Sequence, residues 1–227
     1  MTELAFARLI NSLATLSLVA AAMIALWRWR SLGPAYRLIG LAMVVLALTD
    51  LVMYVLARHH IPNLIVNELS LPLSATLLLL GLRNLLTDRR ERVLLGGFLV
   101  CFLIGWVIGI VQGSPGRTFD RVADPVHGLL IISAAALVLL RRVARQRGSV
   151  LGQPWFWVCT GLMLNYGSRA ILFPLSELYR DSRPDLLVLF FSLSAAKDIL
   201  GNFLIGRALW LPAASRPSGG STFLPVS

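Results

Sequence analysis

The chain has 227 residues, 57% of them hydrophobic and only 14% charged, and its mean hydropathy is +0.76. That balance excludes an ordinary water-soluble domain, and seven spans at about 32 residues per helix and loop leave no room for a second folded unit. The net charge of +10 does not indicate a nucleic-acid partner, because the arginines punctuate apolar runs as membrane topology requires.

The first apolar run, 4–27, has no basic stretch before it and no cleavage signal after it, so it is expected to remain as a span. The second, 34–57, opens on Gly33-Pro34, where proline at the first helical position gives up an N–H that would be unbonded anyway. The third, 62–86, carries Pro72 inside it, which predicts a bend, and the fourth covers 93–112. The fifth, 125–141, is the shortest and is expected to start at Asp124-Pro125. The sixth, 154–175, starts after Gln153 and holds Pro174, and the seventh covers 186–210. These runs predict an all-α polytopic membrane protein, a seven-helix bundle over 1–211, with a Pro, Ser and Gly-rich tail over 212–227 expected to be disordered. Cys101 and Cys159 lie inside apolar runs without metal-ligand spacing and read as small buried side chains.

Orientation follows from the loops. Arg28, Arg30 and Arg37, then Arg83, Arg89, Arg90 and Arg92, then Arg141, Arg142, Arg145 and Arg147 all fall on one side, with Arg207 and Arg216 at the end. The other side has fewer arginines and mixes in Asp120, Asp124, Glu177, Asp181 and Asp185. The positive-inside rule then puts the N-terminus outside and the C-terminus inside, with a bacterial cytoplasmic (inner) membrane as the expected location. Trp27, Trp29, Trp155, Trp157 and Trp210 near the inner ends read as an interfacial belt, and His59, His60 and His127 are placed at or near the outer face.

Ionisable residues inside apolar helices carry the functional signal, since each costs roughly 2.5–3.5 kcal/mol to insert at the bilayer centre. Asp50, Glu68 and Arg169 all fall about 9–10 Å below the outer face at 1.5 Å per residue, and Lys197, next to Asp198, about 17 Å below it. Helical side chains lean toward the helix N-terminus, so the lysine arm is expected to reach Glu68 or Asp50. Lys197 is also the single lysine among 21 basic side chains, a primary amine where Arg would supply charge but could form no imine. Around it, Ser192, Ser194, Asn165, Tyr166 and Trp106 complete the candidate ligand-binding set, with Ser70, Ser168 and Asn202 as further polar groups. No metal site and no enzyme is expected, because neither metal-ligand spacing nor a protease arrangement occurs in the spans.

Seven helices, short loops, an outside N-terminus and one lysine at mid-depth of the last helix, in Ser192-Leu193-Ser194-Ala195-Ala196-Lys197, resemble the microbial rhodopsins. Glu68-Leu69-Ser70 is similar to the counterion region of their heliorhodopsin branch. The resemblance implies retinal held on Lys197 as a protonated Schiff base, with Glu68 and Asp50 as counter-charges and Arg169 balancing the carboxylates. A light signal would then pass to a membrane or cytoplasmic signalling partner, since the chain carries no output domain. The chain departs from the type I pumps at Leu193, where they carry an aspartate, and lacks their Arg-x-x-Asp-Trp in span three and Trp-x-x-Tyr-Pro in span six. Heliorhodopsins also insert the other way round. Binding and sensing, not pumping, are therefore what the resemblance implies.

Two other readings stay open. Pro34 to Asp50 and Pro154 to Arg169 are similarly spaced, which fits a three-plus-one-plus-three duplication and a small-solute or proton-coupled transporter. Alternatively the charges only fix helix register in a structural membrane subunit or homo-oligomer, in which case neutralising Glu68 and Lys197 together should be nearly harmless.

Overall fold

The computed structural model describes residues 3–61, 64–112, 120–146, 148–179 and 184–211, and the tail over 212–227 lies outside them. Among the described residues the chain is helical throughout. In order come α1 (Glu3–Trp27), a 3-10 turn (Trp29–Ser31), α2 (Pro34–Arg58), α3 (Leu64–Leu85), α4 (Arg89–Gln112), α5 (Asp120–Arg145), α6 (Pro154–Tyr179) and α7 (Pro184–Trp210). Six of these helices are long and apolar enough to cross a membrane over their described residues, as expected of an integral membrane protein. Helices satisfy every backbone group internally, which is the condition for entering hydrocarbon.

Local chemistry sets the ends. Gly33 is extended (φ −68°, ψ 162°) and hands over to Pro34 at the first position of α2. Asp88 Oδ1 accepts from the Arg90 N–H at 2.8 Å and starts α4 ahead of its apolar run, so this helix opens at Arg89 and not at 93. The fifth helix also corrects the sequence expectation. It is not the shortest but runs for 26 residues, with Pro125 inside it, and its last turn carries Arg142 and Arg145 beyond the apolar stretch. Long basic side chains allow this, since their stems lie along apolar surface while the charged heads reach water.

The packing forms a closed circuit. α1 lies along α2 and α7, α2 along α3, α3 along α5, α5 along α6, and α6 along α7. α4 stands outside this ring, against α3 with only a thin contact to α5. Burial follows: 56% of the most apolar window of α3 is enclosed, against 17% in α1 and α4, whose outer faces are left for lipid. Ile39, Met43, Leu78, Leu79, Leu82, Ile131, Leu162, Ile205 and Leu209 make the sealed core. Lipid tails are as apolar as leucine, so burial alone does not hold such helices together; close packing must.

Glycines set the closest approaches. A Cβ at Gly81 would lie 2.6 Å from Ile39 Cγ1 and 3.1 Å from Ala35 O, so α3 rests directly on α2. A Cβ at Gly201 would run into the Asn165 side chain and lie 2.9 Å from Gly161 O, so α7 rests in the same way on α6. Both glycines close one pattern, Leu73-Ser74-Ala75 then Leu80-Gly81 in α3, and Leu193-Ser194-Ala195 then Leu200-Gly201 in α7. In each case the partner helix offers a backbone carbonyl and, four residues on, a side chain. The matching register is therefore Ala35/Ile39 with Gly161/Asn165, and the echo counted from Pro34 and Pro154 is nearly two turns out of step with it.

The two thiols differ. Cys159 is fully buried, whereas Cys101 is exposed on α4.

Candidate functional site

Three helices meet at the polar centre of the bundle. α7 contributes Lys197, Asp198 and Asn202, α6 contributes Asn165, and α1 contributes Ser17. Lys197 Nζ donates to the backbone carbonyl of Asn165 and lies 2.8 Å from Asp198 Oδ1. The side chains of this pair are 16% and 24% exposed, so the charges are largely but not wholly enclosed. From there a chain of donors runs across the helices. Asn165 Nδ2 donates to Asn202 Oδ1 at 2.9 Å, Asn202 Nδ2 to Ser17 Oγ at 3.0 Å, and Ser17 Oγ to the Ala14 carbonyl at 2.7 Å.

One atom of the chain is left over. Asn165 Oδ1 is buried against Gly201 with no hydrogen-bond partner among the described residues. Such a group costs roughly 1–3 kcal/mol, and the space it occupies is the space a Cβ on Gly201 would take.

The other half of the ring shows what this packing requires. Read from Gly81, the positions matching Asn165, Lys197, Asp198 and Asn202 are Ile39, Leu77, Leu78 and Leu82, at most 8% exposed and apolar. The same helix pairing is thus built once from leucine and isoleucine and once from a lysine, an aspartate and two asparagines. Helix packing alone does not call for the polar set.

The remaining sequence candidates distribute around it. Glu68 is 3% exposed on α3 and Asp50 half-buried on α2, helices whose main neighbours are each other, α1, α4 and α5. Ser192 is buried and spends its hydroxyl on its own helix, donating to Val188 O at 2.7 Å, and Ser194 is half-buried. Arg169 belongs to α6, but its side chain, like that of Ser168, lies outside the described residues.

Tyr166 turns to a second centre. Its ring meets His127 edge-on at 5.1 Å, and the Phe102 ring lies 5.8 Å from the same imidazole. His127 is only 1% exposed: the start of α5 at Asp120 places it two turns into the helix, where the bundle encloses its ring. Trp106 packs on the same cluster, with Leu71, Phe102 and Ala123, and its indole N–H is buried without a hydrogen-bond partner among the described residues. Sequence reasoning missed His127 and Ser17. A start for α5 before Pro125 would have exposed the first; nothing marks Ser17 among the other small residues of α1.

The chain matches no family model, no curated protein and no solved structure.

Proposed function

We propose that the protein is a membrane carrier for a small organic anion, built from two three-helix units, α1–α3 and α5–α7, joined by α4. The observation that carries this reading is the leucine-for-charge exchange: matching helix pairs, α2–α3 and α6–α7, share one glycine contact, yet only the second holds Lys197, Asp198, Asn165 and Asn202. The ring supports it too, because exchanging α1 with α5, α2 with α6 and α3 with α7 turns each neighbour pair into another neighbour pair. Repeats related in this way recur in secondary transporters, whose substrates bind where the repeats meet near mid-membrane.

The chemistry is an exchange of partners. In the resting arrangement Lys197 is held by Asp198 and the Asn165 carbonyl. An incoming carboxylate would displace Asp198 from the ammonium, and the asparagine amides supply neutral donors that bind an anion without trapping it. Rocking of the two units about the α1–α7 and α3–α5 seams would open the site to either side. The arginine-rich ends of the helices, where the tilted rings of Trp27 and Trp210 meet at 5.2 Å and Arg207 sits 4.3 Å over Trp157, would face the cytoplasm. Purified protein in liposomes should take up at least one of a panel of labelled short carboxylates faster than protein-free vesicles. Uptake no faster than the blank for every member of the panel defeats the reading.

One observation favours a second reading, a retinal-binding sensory protein. The only lysine lies mid-helix with a carboxylate 2.8 Å from its nitrogen, the charge pairing that a protonated Schiff base needs. Added retinal should then give a visible absorption band that is absent in Lys197→Arg, and a wild-type protein that stays colourless rejects this alternative.

A further inference from the structure

The end of the bundle that carries the α3–α4 turn holds a small basic cavity remote from Lys197. It measures about 130 Å³ and is lined by Leu85, Leu86, Thr87, Arg141, Arg142, Arg145 and Gln146. Three arginines line it and no carboxylate does. Glu91, outside the cavity, offsets Arg141 alone through a salt bridge.

The geometry points to this cavity as a binding site for a phosphate group. Arg142 fixes the frame: its Nε donates to Leu85 O at 2.9 Å and its Nη2 to the same carbonyl, closing the last turn of α3. Arg145 Nη1 donates to Thr87 Oγ1, and Arg92 Nε donates to Leu86 O at 2.8 Å, so the turn over 85–87 is held by three arginines. A guanidinium has five N–H donors, and these contacts use only part of that number on Arg142 and Arg145. Two arginines with no carboxylate partner among the described residues, their spare donors, a threonine hydroxyl and a glutamine amide around one void suit a tetrahedral phosphate anion. Ordinary ligand pockets measure roughly 300–1,000 Å³, so the space admits a phosphate and not a whole nucleotide. The phosphate could belong to an anionic phospholipid headgroup or be free in solution.

Thermal unfolding separates these sources. The full chain is compared in nanodiscs of phosphatidylcholine, in nanodiscs containing phosphatidylglycerol, and in phosphatidylcholine nanodiscs with added inorganic phosphate at fixed ionic strength. A midpoint raised only by phosphatidylglycerol assigns the site to lipid, and one raised by inorganic phosphate assigns it to a soluble ligand. Arg145→Gln should weaken either effect about tenfold or more in the concentration required, as loss of a charge-assisted hydrogen bond does. Thr87→Val, which removes one hydroxyl and no charge, should weaken it less and serves if Arg145→Gln fails to fold. The inference is overturned if neither phosphate source moves the wild-type midpoint, or if the folded variants respond as the wild type does.

Discussion

Replacing Lys197 by Met should lower carboxylate uptake by about tenfold to a hundredfold, since a charge-assisted hydrogen bond to the substrate is lost and the Asn165 and Asn202 amides left beside it are neutral. The thioether keeps most of the volume of the lysine stem, so packing against α6 is little changed. Stability should nevertheless fall, because Asp198 is 24% exposed and would keep a largely enclosed carboxylate without its ammonium. Adding Asp198→Leu removes that stranded charge and copies Leu78 of the other unit. The double variant should therefore regain most of the lost thermal midpoint while uptake stays low. If both stability and uptake return, the pair serves only as a structural ion pair and the substrate site assigned to Lys197 fails. A single variant that transports as well as the wild type has the same consequence.

How far the sequence disclosed these features depends on the kind of physics involved. Apolar run length alone located the helices, because a hydrocarbon layer imposes about 20 apolar residues on any span. Ends set by polar caps were less legible: α4 begins at Arg89 through Asp88, and α5 begins before Pro125, ahead of the apolar stretch. Lys197 stood out as the sole lysine, but one of its partners is a backbone carbonyl, and no residue identity announces that an Asn165 main-chain oxygen will be in reach. The likeness of α3 to α7 was legible in Leu73-Ser74-Ala75 and Leu193-Ser194-Ala195, yet spacing measured from the two helix-opening prolines hid the register in which the helix pairs match. Glycine contacts supply that register because they fix where the helix backbones touch.

The contact at Gly201 leads to the second large effect. Gly201→Ala should lower the thermal midpoint in detergent by several degrees, reflecting an overpacking cost of about 1–3 kcal/mol. The new methyl cannot be accommodated by a simple rotamer change. It meets the Asn165 side chain, which is held at its amide by Asn202, and it lies 2.9 Å from Gly161 O, which belongs to the backbone of α6. To relieve the clash α7 must move off α6, or Asn165 must leave Asn202 and break the donor chain toward Ser17. Uptake should therefore fall together with stability. Pairing Gly201→Ala with Asn165→Ala should recover only part of the midpoint, since the carbonyl of Gly161 stays where it was. Gly97→Ala on α4, where an added Cβ meets nothing within 4 Å, should change the midpoint little. Equal midpoints for Gly97→Ala and Gly201→Ala would mean that α6 and α7 do not rest on each other at this glycine, and the matched register of the two units would lose its basis.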